Sequence, residues 1–357
     1  MKSLIKNSFL IAIATVVITS CTKPDSTEFT ECGVPLGYDY SNGVYFVNEG
    51  GFGLGNGSID HLLANGTVIN QVFNKTTCDS LGDVVQSIAK FNNRLYIPVN
   101  GSGKVVVLNA TNLNPVSTIE GFSSPRFFLG FNDKIGYVSD WASNTVKAID
   151  LEKDSITSEF QVGNSPNEMI KVGDEIFVCN SGAFGEDSTI SVISTTSISQ
   201  APFITSKYKN ASAVGQDKDG MLWFLFAGNP GFFGTASPAA LVKINPSTKN
   251  VLAEIQLDST SNPVRMAIST NGDYVYYLGG FTGPVYRIGL SETVEATEPF
   301  ISGDFYGLGF DAVGQLYLSD AKDFSQKGEM KVYAKNSTML VKSYTTGVNP
   351  NGISSVQ

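Results

Sequence analysis

The stretch KIGYVSDWASNTVKAIDLEKDSITSEFQVGNSPNEMI, residues 134–170, decides the fold of this chain. Its first strand begins at the aromatic residue Tyr137 and ends in an acid, and its second strand ends at Asp150. A third strand runs to Val162, and the turn at 163–166 opens a fourth. Because short apolar runs separated by polar turns predict β-strands, we interpret this stretch as one four-stranded blade of a β-propeller.

The aromatic residue of the first strand returns along the chain at intervals of 40 to 53 residues. Its seven copies are Tyr45, Tyr96, Tyr137, Phe177, Trp223, Tyr276 and Tyr317. A period of this length is typical of propeller blades. The next strand repeats as an alternation of apolar and polar residues, which places one face of each strand between neighbouring sheets. The sequence therefore predicts an all-β fold, a seven-bladed β-propeller with four antiparallel strands in each blade.

The end of the chain predicts how the ring closes. A circular array of blades has an open edge unless its first and last blades are joined. Residues 346–353 (TGVNPNGI) resemble residues 162–170 (VGNSPNEMI), so they have the pattern of an innermost strand. We expect this C-terminal strand to belong to the first blade and to close a single propeller domain over residues 36–357.

The N-terminal residues have the pattern of a targeting signal. Two lysines precede an apolar run at 9–18, which is too short for a membrane span. The run ends in ITSC, which resembles the lipobox of bacterial lipoproteins. This resemblance implies a lipoprotein signal peptide at residues 1–20, a lipidated Cys21, and a flexible tether at 21–35. The alternative is an ordinary secretory signal that contains a chance cysteine.

The other three cysteines have different expected states. Cys32 and Cys78 lie in loop-like stretches at the edges of the first blade. In an oxidising compartment they could form a disulfide that fixes the N-terminal segment to the ring. Cys179 lies inside a predicted strand, where we expect a buried and unreactive thiol.

Composition and motifs argue against several functions. With 24 Lys and Arg against 33 Asp and Glu, the formal net charge is −9, which argues against a nucleic-acid role because phosphate binding needs a basic face. His61 is the only histidine, which leaves little room for a His-based metal site. Residues 50–57 (GGFGLGNG) and 217–220 (DKDG) only superficially resemble a dinucleotide loop and a calcium loop, so we interpret them as an interstrand loop and a hairpin turn. We expect no catalytic residue, metal or cofactor, and no enzyme activity.

Aromatic and basic residues collect on one face of the predicted ring. The loops between the second and third strands all emerge on the same face as the links that start the innermost strands, because successive strands alternate in direction. In these loops and links we predict a ligand-binding surface formed by Phe52, Arg126, Phe127, Trp141, Phe184, Lys207, Tyr208, Lys209, Phe232, Phe233, Arg265, Phe281, Tyr306 and Phe324. Of the seven loops, only that of the second blade lacks an aromatic residue.

Two interpretations of the aromatic residues remain open. Exposed rings on Gly-rich loops are unfavourable, so they indicate either packing against one another or contact with a partner. In the second case they would form a concave platform that stacks on a flat or aromatic ligand. The acids Glu168, Glu186 and Asp187 lie on the same face, so the sequence does not decide the sign of the local field.

The repeat with its aromatic-led strands resembles the YncE-like seven-bladed propellers across essentially the whole mature chain. Residues 43–58 (GVYFVNEGGFGLGNGS), followed by 81–83 (LGD) and 86–87 (QS), more specifically resemble a branch of surface lipoproteins from gut-type Gram-negative anaerobes. Members of that branch are similar to proteins that capture vitamin B12 and pass it to a TonB-dependent transporter, and relatives capture ferric siderophores. The resemblance implies a lipid-anchored outer-membrane protein that faces the cell exterior, but no ligand contact transfers residue by residue.

Three function classes follow from these observations. The first is capture of a small metal-chelate nutrient, with a corrinoid ranked just ahead of a ferric siderophore and a TonB-dependent outer-membrane transporter as the partner. The second is a propeller enzyme, a lyase or hydrolase, which requires polar catalytic residues near the axis. The third is a structural or adhesive surface protein that binds a glycan or another protein.

Overall fold

The seven repeats each form a four-stranded antiparallel sheet, and the sheets are arranged in a ring. The computed structural model describes residues 38–183, 185–195, 203–231, 235–257 and 262–356, all within one compact unit. The second strand of each sheet is almost entirely buried, because both faces of the sheet are covered by the neighbouring sheets. The predicted all-β, seven-bladed propeller is therefore confirmed.

The inner strands surround the axis, and the second strands contain the repeated aromatic residues. The inner strands are β4 (Ala89–Phe91), β8 (Pro125–Asn132), β12 (Pro166–Val172), β16 (Ala211–Gln216), β20 (Met266–Ile268), β24 (Gly307–Phe310) and β28 (Pro350–Val356). The second strands are β1 (Gly43–Asn48), β5 (Arg94–Val99), β9 (Ile135–Asp140), β13 (Glu175–Asn180), β17 (Leu222–Phe226), β21 (Tyr274–Leu278) and β25 (Leu316–Asp320).

The third and outer strands complete each blade. The third strands are β2 (Ser58–Leu62), β6 (Lys104–Asn109), β10 (Thr145–Asp150), β14 (Thr189–Ser194), β18 (Ala240–Ile244), β22 (Gly283–Gly289) and β26 (Lys327–Tyr333). The outer strands are β3 (Val68–Ile69), β7 (Pro115–Ile119), β11 (Ser155–Gln161), β15 (Phe203–Thr205), β19 (Val251–Gln256), β23 (Ile301–Phe305) and β27 (Leu340–Val348). We number the blades 1 to 7 from the sheet β28-β1-β2-β3 onward. A short helix, α1 (Val72–Thr77), follows β3, and a single 3-10 turn, Asn100–Ser102, follows β5.

The stretch 134–170 spans two blades, which corrects the prediction that it forms one. Its first three strands are β9, β10 and β11 of blade 3, but its fourth is β12, which pairs with β13 of blade 4. A sequence repeat gives the period of an array but not its starting point. Here the repeat begins at the second strand of a blade, so that the inner strand of the next blade completes it.

The repeated aromatic residues pack between blades. All seven are buried, and Tyr96 of blade 2 stacks on Phe128 of blade 3 with ring centroids 3.9 Å apart. The clusters of buried apolar side chains each join adjacent blades, for example Phe177 of blade 4 with Phe224 of blade 5. The repeat is therefore visible in the sequence because each blade must present a large ring to its neighbour.

The C-terminal strand closes the ring as predicted. Strand β28 pairs antiparallel with β1 and contacts the inner strand β24 of blade 7. Buried Phe46 and Tyr317 lie in one cluster that joins blades 1 and 7. The inner strands approach so closely here that a Cβ at Gly307 would lie 2.2 Å from the backbone oxygen of Asn351. A larger residue at this position would force the two blades apart.

Several smaller predictions are also tested. The Gly-rich residues 50–57 connect β1 and β2, and 217–220 form the turn between β16 and β17, where the buried Asp217 accepts a hydrogen bond from Trp223 Nε1 at 2.9 Å. Cys179 is buried in β13 and free, as expected. The predicted signal peptide at 1–20 and the whole predicted tether at 21–35 lie outside the described residues. In the part of the chain that the structure describes, no helix has the length and apolar character needed to span a membrane.

Candidate functional site

A cavity of about 990 Å³ opens on the face of the ring where the loops between second and third strands emerge, and we call it the axial cavity. Every blade contributes to its lining, from Phe52 in blade 1 to Tyr306 at the start of the inner strand of blade 7. A ring of seven links that converge on one axis produces this concavity, because each link must turn from an outer strand to the next inner strand. A cavity of this size accommodates a ligand larger than a single sugar or nucleotide.

Six predicted ligand-binding residues line the axial cavity. They are Phe52, Arg126, Trp141, Arg265, Phe281 and Tyr306. Phe324 packs beside them, with its ring centroid 5.1 Å from that of Tyr306 and 6.3 Å from that of Phe281. Phe281 is 49% exposed and Phe324 is 38% exposed, so their mutual packing leaves much of each ring open to solvent. Both interpretations of the aromatic residues, mutual packing and contact with a ligand, are compatible with this arrangement.

Four predicted residues occupy other surroundings. Lys207 forms an ion pair with Glu254, and Lys209 forms one with Glu186. Tyr208 is buried in the apolar cluster between blades 4 and 5. Phe127 lines a second cavity of about 240 Å³ on the axis, which shares Gln86 and Arg265 with the axial cavity; we call it the deep cavity. The described residues of the predicted surface therefore form two groups. One group lines the axial cavity or packs beside it, and the other forms ion pairs, lies in an apolar cluster or lines the deep cavity.

Other predicted residues lie outside the described residues. These are Phe184, Phe232, Phe233, Cys21 and Cys32. Cys78 is disulfide-bonded, and Cys32, its predicted partner, is among the residues just named. A third cavity of about 450 Å³ lies between blades 1 and 7, and its described lining contains no predicted site residue.

A further set of residues lies near the axis, at or close to the start of each inner strand, and most of them were not predicted from the sequence. Five of the links that lead into an inner strand contain a residue with positive φ: Val84, Ser165, Asn210, Asn262 and Asn349. The residue two positions after each of these, and the equivalent residue in the other two blades, lines the axial or the deep cavity. We call these seven residues the axial ring: Gln86, Arg126, Asn167, Ser212, Val264, Tyr306 and Asn351. The recurring Ser-Pro or Asn-Pro at four of these turns was the signal that could have identified the set.

One of these turn residues is unusual. Val84 has a φ of 54°, a left-handed conformation that crowds a β-branched side chain and is unfavourable by roughly 1–3 kcal/mol. Such conformations persist where the surrounding structure requires them, and they concentrate at functional sites. Val84 lines the axial cavity beside Asp83, whose carboxylate accepts a hydrogen bond from the Gly53 amide at 2.9 Å.

Hydrogen bonds join the axial ring across blades. Arg126 donates from Nη1 to Gln86 Oε1 at 2.7 Å and from Nε to Asn167 Oδ1 at 3.1 Å. Asn167 Nδ2 in turn donates to the backbone oxygen of Ser212 at 2.6 Å. On the other side, Asn351 Nδ2 donates to the backbone oxygen of Gln86 at 2.9 Å. These bonds fix the side chains of blades 1 to 4 in one orientation.

Glu49 extends this network to blade 7. Its carboxylate accepts hydrogen bonds from Asn351 Nδ2 at 2.9 Å and from the Tyr306 hydroxyl at 3.1 Å. Burial, together with the nearby Glu49 charge, raises the pKa of Tyr306 and keeps its hydroxyl protonated as a donor. The network thus runs from Tyr306 to Ser212 and is interrupted at blade 6, where the ring position is Val264.

Two arginines line the axial cavity together with the acids Glu49 and Asp83. The Arg126 guanidinium lies 5.5 Å from the centroid of the Trp141 ring, and the Arg265 guanidinium lies 5.6 Å from that of Tyr306. Burial, followed by the neighbouring charge of Arg265, lowers the pKa of Arg126 to about 10, so the Arg126 side chain remains cationic near neutral pH. Burial also raises the pKa of Glu168, which lines the deep cavity, to about 7.

This arrangement suits non-covalent binding. Aromatic rings supply large contact areas, the axial ring supplies amide and hydroxyl groups, and two cations lie at the centre. Among the described residues, no group of three or more His, Cys, Asp or Glu is placed to hold a metal ion. A metal that belongs to a bound chelate would need no such ligands from the protein.

Comparisons with solved structures agree with the architecture. A quinonprotein alcohol dehydrogenase-like protein from Bacteroides thetaiotaomicron VPI-5482 is 14% identical, with a TM-score of 0.69 over 90% of this chain and 80% of its own. Hydrazine synthase from Kuenenia stuttgartiensis is 18% identical, with a TM-score of 0.57 over 73% of this chain and 85% of its own. At these identities the likeness concerns the fold alone.

Comparison with curated protein sequences finds no match. A family described as a domain of unknown function, DUF5074, matches residues 42–348, which include all seven blades except the closing strand β28. The chain belongs to this DUF5074 family of β-propellers.

Proposed function

We propose that this protein captures a small nutrient ligand in the axial cavity and releases it unchanged. The observation that supports the proposal is the convergence of six predicted ligand-binding residues, from four blades, on one cavity of about 990 Å³. Stacking rings and fixed polar groups in a preformed concave site are the usual features of a small-molecule binding site.

The ligand we propose is a metal chelate, with a corrinoid ranked ahead of a ferric siderophore. A corrin is a flat macrocycle edged with amides, which would match the rings of Trp141 and Phe281 and the amides of the axial ring. A tris-catecholate would depend more on positive charge. Two of the four basic residues of the predicted ligand-binding surface, Lys207 and Lys209, form ion pairs with acids, which supports the order given.

We further propose that acyl chains on Cys21 hold the domain at the outer membrane facing the cell exterior, where it passes its ligand to a TonB-dependent transporter. The lipobox-like ITSC and the resemblance to capture lipoproteins support this step. Substituting Cys21→Ser should release the protein from the membrane fraction. Digestion of whole cells with an added protease should remove the native protein from the surface, and an untouched protein would contradict the outward orientation.

The central experiment titrates the purified protein with cyanocobalamin and, in parallel, with a ferric catecholate siderophore, by calorimetry and visible absorbance. We expect saturable binding of one of them and recovery of unaltered ligand. Phe281→Ala should weaken binding by roughly tenfold, since a stacked ring contributes about 0.5–1.5 kcal/mol beyond its buried area. Phe203→Ala is the matched control, because Phe203 is similarly exposed, at 44% against 49%, but lies on the outer strand β15.

The outcomes separate the function classes. Binding of neither chelate would contradict the capture proposal and favour a glycan or protein partner. Conversion of a bound ligand would instead indicate an enzyme. Equal affinity of the Phe281→Ala and Phe203→Ala proteins would show that the rings of the axial cavity pack against one another without contacting the ligand.

A further inference from the structure

We propose that Arg126 and Arg265 form an oxyanion-binding site in the axial cavity, which takes a phosphate or carboxylate group of the ligand. The inference rests on the proposed function for its biological meaning, but the site itself can be tested without the nutrient. It follows from the hydrogen bonds of the two guanidinium groups. Arg126 donates to two neighbouring side chains, whereas Arg265 Nε is buried without a hydrogen-bond partner.

Arg126 is held in place by its neighbours in the ring. Its Nε and Nη1 donate to Asn167 and Gln86, and Trp141 covers it at 5.5 Å. Within the described residues, Nη2 has no hydrogen-bond partner, so one donor group of a fixed fork remains available. Because the guanidinium is already oriented, an anion that binds there would lose little free energy to ordering the side chain.

Arg265 is the exception in the network. Its side chain forms no hydrogen bond or ion pair with any described residue, and its Nε is buried without a partner. A buried charged donor without an acceptor is unfavourable, so such groups in native proteins usually mark a missing ligand, ion or water. Tyr306 supplies a ring face at 5.6 Å, but a ring face does not satisfy the Nε–H.

The gap in the axial ring explains why no protein group satisfies Arg265. In blade 6 the ring position is Val264, which has no polar side-chain atom to accept a hydrogen bond. The neighbouring acids already accept hydrogen bonds: Glu49 from Tyr306 and Asn351, and Glu168 from the Val214 amide at 3.1 Å. Neither acid accepts a hydrogen bond from Arg265 among the described residues, so the unused donors of both arginines line a cavity that an acceptor from outside the chain can enter.

Electrostatics agree with this placement. Arg126 and Arg265 lie close enough for the charge of one to disfavour the charge of the other. An oxyanion between two like charges would relieve this repulsion and accept charge-assisted hydrogen bonds from both, which are roughly twice as strong as neutral ones. Lysines do not substitute well in such a site, since only a guanidinium presents a planar fork of donors.

The test is a direct titration of the purified protein with inorganic phosphate, and separately with acetate, by calorimetry at low ionic strength. We expect saturable binding of at least one anion, and we expect Arg265→Gln to weaken it by about tenfold or more, the usual effect of removing a charged hydrogen-bond donor. Arg265→Lys should recover part of the affinity, because it restores the charge but not the Nε–H. Binding of phosphate alone indicates a phosphate group of the ligand, and binding of acetate alone indicates a carboxylate.

Arg287→Gln is the matched control, with the same change in charge on the same blade. The Arg287 guanidinium lies 4.0 Å from the centroid of the Phe300 ring and 4.6 Å from that of Tyr274, away from the cavity lining. The Arg287→Gln protein should therefore bind the anion as the native protein does. The absence of saturable anion binding to the native protein would overturn the inference. So would equal anion affinity of the native and Arg265→Gln proteins, each with an unchanged melting temperature.

The same variants separate this inference from the proposed function. If a chelate binds the native and Arg265→Gln proteins equally, the anion site is wrong and the capture proposal stands. If phosphate binds at the arginine pair but neither chelate binds, the anion site stands and the capture proposal is wrong.

Discussion

At the scale of single residues, two titratable side chains have opposite effects on how stability changes with pH. Burial raises the pKa of Glu168 from 4.5 to about 7, so the folded protein keeps a proton that the unfolded chain has lost within this interval. The contribution of Glu168 to the free energy of unfolding is therefore fully present below pH 4.5 and is lost as the pH rises to about 7.

We predict that Glu168→Gln abolishes this fall in stability, because glutamine does not titrate. Urea unfolding followed by tryptophan fluorescence at a series of pH values would measure it. Glu159→Gln is the control, since Glu159 is exposed on β11. If both variants followed the native curve from about pH 4.5 to 7, Glu168 would be shown to have an ordinary pKa.

His61 acts in the other direction. Its ring is fully buried, stacks on Tyr45 with centroids 4.1 Å apart, and has no hydrogen-bond partner at either nitrogen. Burial lowers its pKa from 6.5 to about 4, so the unfolded chain binds more protons than the folded protein within this interval. Stability from His61 is thus present above pH 6.5 and is lost as the pH falls to about 4.

We predict that His61→Phe removes this acid-side loss, since phenylalanine preserves the stacking and cannot be protonated. The same unfolding experiment measures it. The native protein should show a flatter profile than either variant where the two intervals overlap, because Glu168 and His61 offset one another there. A His61→Phe protein that loses as much stability in acid as the native protein would contradict the assignment to His61.

Sequence could identify part of this chemistry and not the rest. Arg126 and Arg265 were found because basic residues near an axial link are visible in a linear pattern. Glu49 was not, because its partners Tyr306 and Asn351 lie 257 and 302 residues away along the chain. Only closure of the ring brings these residues together. The ion pairs of Lys207 and Lys209 were also invisible, since each acid lies on another link or strand.

At the scale of elements, the loop between β1 and β2 presents the most exposed of the described aromatic residues of the site. Phe52 is 87% exposed and Leu54 is 72% exposed at the rim of the axial cavity. The Asp83 carboxylate fixes this loop, because it accepts the Gly53 amide at 2.9 and 3.0 Å. Asp83 belongs to the next link, so the contact joins two neighbouring blades.

We predict that Asp83→Ala frees this loop without unfolding the ring. Chymotrypsin should cleave after Phe52 faster than in the native protein, while the free energy of unfolding should change by no more than about 1 kcal/mol, since the lost hydrogen bonds are solvent-exposed. Asp133→Ala is the control, because Asp133 is an exposed acid on another loop. An unchanged cleavage rate would show that the loop is held by other contacts.

At the scale of the whole molecule, the sequence predicted the architecture well because the same interface occurs seven times. Each blade must place an aromatic ring between two sheets, and this requirement repeats with a period that can be read from the chain. The repeat at 134–170 did not indicate the phase, since β11 and β12 are adjacent in sequence but belong to different sheets, whereas the prediction for the C-terminal strand had the correct phase. The pairing that fixes the phase of the whole ring is that of β28 with β1, which lie at opposite ends of the chain.

Closure also determines how the molecule is stabilised. Strand β28 pairs with β1 along its whole length and packs against β24, so it belongs to blade 1 by pairing and to the end of the chain by sequence. Removing it would expose the edge of β1 and uncover the cluster that contains Phe46 and Tyr317. The effect should extend beyond blade 1, because every blade in a closed ring is supported on both sides.

We therefore predict that a chain ending at Val348 is destabilised by at least ~4 kcal/mol, a loss expected only when a large buried contact is removed. Thermal unfolding by circular dichroism would measure this loss. A synthetic peptide of residues 349–357 should restore much of the melting temperature by adding the missing strand to β1, whereas a peptide of the same composition in scrambled order should not. A truncated protein with the native melting temperature would mean that the ring is stable without its closing strand, and rescue by both peptides would mean that pairing with β1 lacks sequence specificity.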